Sequence, residues 1–211
     1  MRFTDRREAG VILGRAVAAH NPSQPLVSAL PRGGVPVGFE VAEALGCELD
    51  VLAVRKVGVP FHPELAMGAV AEGDVVIRNE EIIDAVGIDE ETFDERAESE
   101  KAELQSRLAQ YRDAAPAIDP GGRTVLVVDD GLATGSTAIA AIRVLRAREA
   151  LAVWLAVPVA PADAIPVMER VADRVIVVEH PRRFMAVGAW YRDFTPTPDA
   201  EVVELLRRSR N

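Results

Sequence analysis

The 211 residues, 49% of them hydrophobic, suffice for a full buried core and are expected to form a single domain over 1–211. A formal net charge of −9 argues against nucleic acid as a partner held by general electrostatics, and no apolar run is long enough to cross a bilayer, so no membrane partner is expected either. The lone cysteine, Cys47, allows no internal disulfide, and the opening MRFTDRREAG lacks the apolar core of a signal peptide, so a reducing cytoplasm is the expected setting.

In chain order, TDRREAGVILGRAVAA (4–19) predicts a helix with Thr4 as its N-cap and Ala9, Ile12, Leu13 and Ala16 on one face. PLVSAL (25–30) is a buried strand that runs into Pro31-Arg32-Gly33-Gly34. A helix over 35–45, closed by Gly46, and a second strand over 49–55 follow. Strand, glycine turn, helix and strand make a βαβ unit, which implies a parallel sheet. Residues 66–78 predict a short hairpin around Glu72-Gly73-Asp74.

The charge is unevenly placed. Residues 72–113 hold 14 Asp/Glu against 5 Lys/Arg, while the remainder carries 19 of each sign. Within that acidic stretch Phe93, Ala97, Leu104, Leu108 and Tyr111 recur at helical spacing, predicting a long helix over 89–113 with one narrow packing face. It forms the body of a helical insertion at about 79–118, ended by DPGG (119–122). The βαβ pattern then resumes with strands over 124–128, 150–157 and 174–179. Helices are predicted over 136–148, 161–172 and 199–209. The fold class expected is therefore α/β: a doubly wound, mostly parallel sheet with an inserted acidic helical segment. Such sheets bind ligands at the carboxyl ends of their strands.

One stretch carries the chemistry. TVLVVDDGLATGST (124–137) runs a buried strand into Asp129-Asp130 and then into a helix start at Thr134-Gly135-Ser136-Thr137. Free N–H groups, hydroxyls and the positive dipole end favour a phosphate there. Two carboxylates at the mouth of an anion site would repel the ligand unless they bind hydroxyls or a divalent cation. A phosphorylated sugar bound with Mg²⁺ supplies all three groups. The segment is neither a GxxxxGK[ST] loop nor a GxGxxG turn. His20, His62 and His180 are too dispersed to suggest a metal site of their own.

With its strand, two acids and Thr-Gly-x-Thr, the segment resembles the signature by which type I phosphoribosyltransferases bind 5-phospho-α-D-ribose 1-diphosphate (PRPP). Two other stretches are similar to parts of that family. ALPRGGVP (29–36) resembles its pyrophosphate loop, in the Arg-Gly-Gly form of xanthine-type members. VRKVGVPFHPE (54–64) resembles the Arg-Lys opening of the mobile loop in adenine and orotate members. Lys56 stands out because the chain has 22 Arg and 2 Lys. The family's further lysine in that loop is absent, and His62 stands near its place. RRFMAVGAWYRDF (182–194) resembles the C-terminal, hood-like segment that covers the purine in hypoxanthine-guanine members, with one extra residue before Val187-Gly188.

The resemblance implies a Mg²⁺-dependent enzyme that moves the 5-phosphoribosyl group from PRPP to a ring nitrogen of a base, purine or related, in nucleotide salvage. Pyrophosphate leaves. The resemblance assigns Asp129 and Asp130 to the ribose hydroxyls, directly or through Mg²⁺, and the amides and hydroxyls of Ala133, Thr134, Gly135, Ser136 and Thr137 to the 5′-phosphate. Arg32, Gly33, Gly34, Arg55 and Lys56 fall to the pyrophosphate, and Arg32 and Lys56 join Asp129 and Asp130 as the catalytic groups. Phe184, Val187 and Asp193 fall to the base, with Trp190 and Tyr191 as neighbours. A closing loop at 56–66 and a homodimer are expected from the same source. Ala133 stands where 6-oxopurine members carry a third aspartate, so the acceptor base stays open. A catalytically silent PRPP- or nucleotide-binding regulator and a Mg²⁺-dependent phosphosugar hydrolase are the alternatives.

Overall fold

Strands buried on both faces need near-continuous apolar runs, and short runs of that kind alternate with helices here. The computed structural model describes residues 2–210, the side chains of Glu64 and Arg107 excepted. The chain forms α1 (Arg6–Ala18), β1 (Pro25–Ala29), α2 (Gly34–Leu45) and β2 (Glu48–Val51). A second group follows: β3 (Val54–Val59), β4 (His62–Ala71), β5 (Val75–Arg78), α3 (Glu80–Val86) and α4 (Glu90–Ala114). The remainder is β6 (Thr124–Val128), α5 (Ser136–Ala147), β7 (Ala152–Val159), α6 (Ile165–Met168), β8 (Arg174–Glu179) and α7 (Asp199–Arg208). A 3₁₀ turn at Val187–Trp190 precedes α7.

The central sheet is parallel throughout, in the order β2-β1-β6-β7-β8, with Ala29 opposite both Val51 and Val128. One face packs on Leu13 and Val17 of α1, Val37 and Val41 of α2, and Val202 and Leu206 of α7. The other packs on Ala138, Ala141, Ile142 and Leu145 of α5 and on Met168 of α6. Helices on both faces of a parallel sheet make a doubly wound α/β fold, as expected. The strand order reverses between β1 and β6, so the two strand ends that open a crevice precede residues 30–34 and 129–135.

The expected elements shift in four places. Asp5, not Thr4, caps α1, its carboxylate accepting the Glu8 N–H at 2.8 Å. The strand expected over 49–55 is two strands, since the chain leaves the central sheet at Leu52 and enters another at Val54. The loop expected to be mobile at 56–66 is an antiparallel β3–β4 hairpin, with its register shifted around Gly58 and with β5 completing a three-stranded sheet. The helix expected over 161–172 is reduced to Ile165–Met168. Pro166 has no N–H and its ring would strike the carbonyl four residues back, so it is tolerated only in a first turn.

The acidic segment folds as predicted into helices. Phe93 and Ala97 of α4 and Ile83 of α3 bury against Val57, Val59, Met67 and Val70 of the small sheet. The far end of α4 is bolted down by Arg112, which donates to Asp50 at 2.6 Å, to Glu72 at 2.6 and 2.7 Å, and to the Val51 carbonyl at 3.0 Å. The second oxygen of Asp50 accepts the Ile118 N–H at 3.0 Å. This network fixes the insertion to both sheets. No helix among the described residues is long and apolar enough to cross a membrane.

Candidate functional site

The crevice between β1 and β6 is built by two loops in direct contact. After β1, the Pro31–Arg32 peptide is cis and the chain turns through Gly33 into α2. After β6 come Asp129 and Asp130. A Cβ at Gly33 would lie 2.1 Å from Asp130 Oδ2, and one at Gly34 would lie 2.6 Å from the Val128 carbonyl oxygen and 3.2 Å from Asp129 Oδ1. Only glycines let the first loop lie against the two acids. Residues 31–34 and 129–130, about a hundred positions apart in sequence, thus form one surface.

The signature loop continues over Leu132, whose N–H donates to the Val159 carbonyl at 2.8 Å, and reaches α5 through Gly135 at φ +78°. That left-handed conformation suits glycine, and a Cβ there would also meet Met168 Cε at 2.8 Å. Gly135 is buried, Ser136 is half-buried, and Ala133, Thr134 and Thr137 are exposed. The hydroxyls of Thr134 and Ser136 lie 3.1 Å apart at the helix start, where the first N–H groups of a helix have no intrahelical acceptor. The five residues expected at a phosphate are therefore together.

The electrostatics of the diacid are unusual for a strand end. Burial, and then the Asp130 charge, push the Asp129 carboxyl well above the usual carboxylate range. Burial also raises Asp130, against the opposing pull of Arg6, whose Nε donates to Oδ2 at 2.8 Å. Tyr191 donates its hydroxyl to the Asp130 carbonyl, and burial and the Asp130 charge keep that phenol protonated far above its ordinary value. Among the described residues no group of three or more His, Cys, Asp or Glu side chains gathers as a metal cage. The donor set is two adjacent, mutually repelling carboxyls. It fits Mg²⁺, which keeps waters and substrate oxygens and takes one or two carboxylates from the protein.

The basic residues are partly occupied within the chain. Arg32 pairs with Asp199 at 3.5 Å, and Asp199 also accepts the Tyr111 hydroxyl of α4. Arg55 is held by Glu100 and, at 2.8 Å, by Glu103 of α4. Arg32 and Arg55 nevertheless line the same small cavity of about 60 Å³, beside Leu104 and Tyr111. Lys56 stands on β3 opposite Ala69, and exposed His62 opens β4.

In the C-terminal segment, Phe184 and Val187 pack with Trp190 and Phe194 against the buried cluster of Phe3, Ala9, Val159 and Tyr191. A Cβ at Gly131 would lie 2.5 Å from Val187, so the C-terminal segment rests on the signature loop. Asp193 is exposed and accepts both the N–H and the hydroxyl of Thr195, at 2.9 and 2.7 Å, which lowers its carboxyl below the ordinary value.

The residues missed by sequence reasoning are Arg6, Phe194 and Asp199. One signal was present for the first. Arg6 and Arg7 open a helix, where the dipole disfavours cations, so an acidic partner from elsewhere is favoured for each. Arg6 has Asp130 and Arg7 has Glu40 at 2.9 Å.

A sequence model of the phosphoribosyl transferase domain matches residues 8–181, a span that contains both loops and the diacid. The chain belongs to that family. It is 44% identical over 207 residues, 98% of its length, to each of two Mycobacterium tuberculosis proteins, from strains CDC 1551 and H37Rv, that carry the name "Putative phosphoribosyl transferase". It spans only 47% of those relatives, about half their length. Its structure is similar to that of TT1426 from Thermus thermophilus, with a TM-score of 0.93 and 40% identity over 99% of each chain. AQ2163 from Aquifex aeolicus shares the fold, with a TM-score of 0.52 and 11% identity, covering 95% of this chain and 84% of that one.

Proposed function

We propose that this phosphoribosyl transferase domain moves the 5-phosphoribosyl group from PRPP to a ring nitrogen of a nitrogenous base, purine or related, with release of pyrophosphate. The observation that carries the reading is the contact of Gly33 and Gly34 with Asp129 and Asp130 at the switch point of the sheet. It supports one ligand with an anion at each end and hydroxyls between. The amides and hydroxyls of residues 133–137 hold the 5′-phosphate, and Asp129 and Asp130 hold the ribose hydroxyls. Gly33 and Gly34, with Arg32, Arg55 and Lys56, hold the pyrophosphate, for which the two arginines must release Asp199, Glu100 and Glu103. As the bond to pyrophosphate breaks, positive charge grows on the sugar, and the adjacent carboxylates stabilise it electrostatically. Asp129 and Asp130 would hold Mg²⁺, directly or through water, and the ion would supply charge neutralisation for the leaving pyrophosphate.

Phe184 and Val187 border the base, and Asp193 is its polar neighbour once it gives up Thr195. The β3–β4 hairpin excludes water from the sugar carbon. Nucleotide salvage in the cytoplasm by a homodimer, with 1–211 acting as one domain that carries the 79–118 insertion, completes the reading. A second reading, a catalytically silent PRPP- or nucleotide-binding regulator, is favoured by the internal partners of Arg32, Arg55 and Asp193.

Pyrophosphate release from PRPP and Mg²⁺ across a panel of bases separates the two. Turnover with one base supports transfer, whereas tight PRPP binding with no turnover on any base supports the regulator. Asp130→Asn is expected to remove most PRPP binding or turnover, and an unchanged rate would put the site elsewhere.

A further inference from the structure

Asp130 is held from both ends of the chain. Arg6, in the first turn of α1, makes three contacts with one guanidinium. Its Nε donates to Asp130 Oδ2 at 2.8 Å, its Nη1 donates to the Thr195 carbonyl at 2.8 Å, and its plane lies 4.0 Å over the Phe194 ring. The ion pair is nearly closed to solvent, with 11% and 14% of the two side chains exposed. Tyr191 holds the main chain of the same aspartate through its carbonyl.

The two termini are themselves stitched together beside this point. Phe3 donates to the Trp190 carbonyl at 2.8 Å, Arg192 to the Phe3 carbonyl at 2.8 Å, and Asp193 to the Thr4 carbonyl at 2.9 Å. A Cβ at Gly33 would lie 3.3 Å from Arg6 Nε as well as against Asp130. The first loop, the diacid, the start of α1 and segment 191–195 therefore meet at one guanidinium.

We propose that Arg6 is a positioning residue of the site, which orients the Asp130 carboxylate through Oδ2 and couples it to segment 191–195, so that the diacid and the C-terminal segment act as one unit. The proposal rests on the phosphoribosyl transfer reading, in which Asp130 holds the ribose. A planar fork can serve a carboxylate, a carbonyl and a ring face together, which a lysine ammonium cannot. A ligand that draws Asp130 toward itself pulls on Thr195 and Phe194 through the same side chain. Donor binding thereby reaches the segment proposed to border the base.

The test compares the parent protein with Arg6→Ala, Arg6→Lys and Arg6→Gln, by calorimetric titration of PRPP with Mg²⁺, by kcat and KM for an accepted base, and by thermal unfolding. Arg6→Ala is expected to weaken PRPP binding about tenfold or more, since it removes a hydrogen bond to a charged group. Arg6→Lys should recover part of the donor affinity while the KM for the base stays raised. Arg6→Gln, which keeps a donor without the charge, gives the same readouts if the alanine variant does not fold. Parental binding and kinetics in Arg6→Ala overturn the proposal and leave the transfer reading standing. So does a lysine variant as impaired as alanine in step with its melting temperature, because Arg6 would then act only through the fold. A parent that neither binds PRPP nor releases pyrophosphate overturns the transfer reading and the Arg6 assignment with it.

Discussion

Gly33 and Asp130 touch: a Cβ on the glycine would stand 2.1 Å from one carboxylate oxygen and 2.7 Å from its carbon. Gly33 itself has φ −59°, a conformation open to any residue, so only space demands glycine here. An alanine must push the carboxylate aside, yet the carboxylate is pinned by Arg6. Gly33→Ala should therefore leave the protein folded, with a cost in the overpacking range of about 1–3 kcal/mol. Displacing a binding group by ~1 Å can cost about 100-fold in rate, so turnover should fall on that order. Steady-state kinetics with a melting curve check this, and a fully active alanine variant would show that Asp130 has room to move.

Asp129 should show a conflict between stability and function. Burial and the Asp130 charge raise its carboxyl in the folded chain. A raised folded value means that the protonated group's contribution is whole below the unfolded pKa and is lost as pH rises through the folded one. Wherever it is ionised, Asp129 therefore works against folding. Asn keeps the acceptor that receives the Asp130 N–H at 2.8 Å and removes the charge. Asp129→Asn is expected to melt higher than the parent once pH exceeds the folded value of Asp129, by about 2–4 °C for each kcal/mol gained, and to lose catalytic activity. The gain should shrink as pH falls and the parent's carboxyl protonates. A melting temperature that stays below the parent's at every pH contradicts this account.

How readily these features could be read from the sequence follows from how local their signals are. The strand, the two acids and the glycine turn into α5 occupy fourteen consecutive positions, and the predicted strand 124–128 is the observed one. Punctuation of that density needs no tertiary information. The run from Glu48 to Val59 does need it. The unbroken apolar stretch 51–54, which joins β2 to β3, cannot reveal that the two strands belong to different sheets. The Arg6–Asp130 pair spans 124 positions with no periodicity to link them, and only the misplaced cation at a helix start hints at it. Asp193 marks a further limit. Its place after Val187-Gly188 was legible, but its commitment to Thr195 was not.

The Arg112 network should carry much of the attachment of the insertion. The side chains of Arg112, Asp50 and Glu72 are 16%, 6% and 20% exposed, so removing the cation leaves two carboxylates poorly solvated. Arg112→Met is expected to destabilise by about 3–5 kcal/mol, the range for breaking a buried pair from one side. Chemical denaturation measures the loss. Faster hydrogen exchange in α4 than in β6 would localise it, while an unperturbed α4 would show that its apolar seam alone holds the helix.

Cys47 provides a readout independent of any substrate. It follows the α2 cap Gly46, and burial pushes its thiol from 9.0 up to about 11, with Arg123 offsetting only part of the shift. The thiolate is the nucleophile, so the native thiol should alkylate far more slowly than a free cysteine at pH 7.5. Its rate should climb toward pH 11. The folded value lies above the unfolded one, so the thiol's contribution to stability is intact below pH 9 and lost as pH rises toward 11. Denatured chain serves as the internal control, because its thiol reacts at the ordinary rate. Equal iodoacetamide rates for native and denatured protein at pH 7.5 would mean that the environment of Cys47 is neither apolar nor closed.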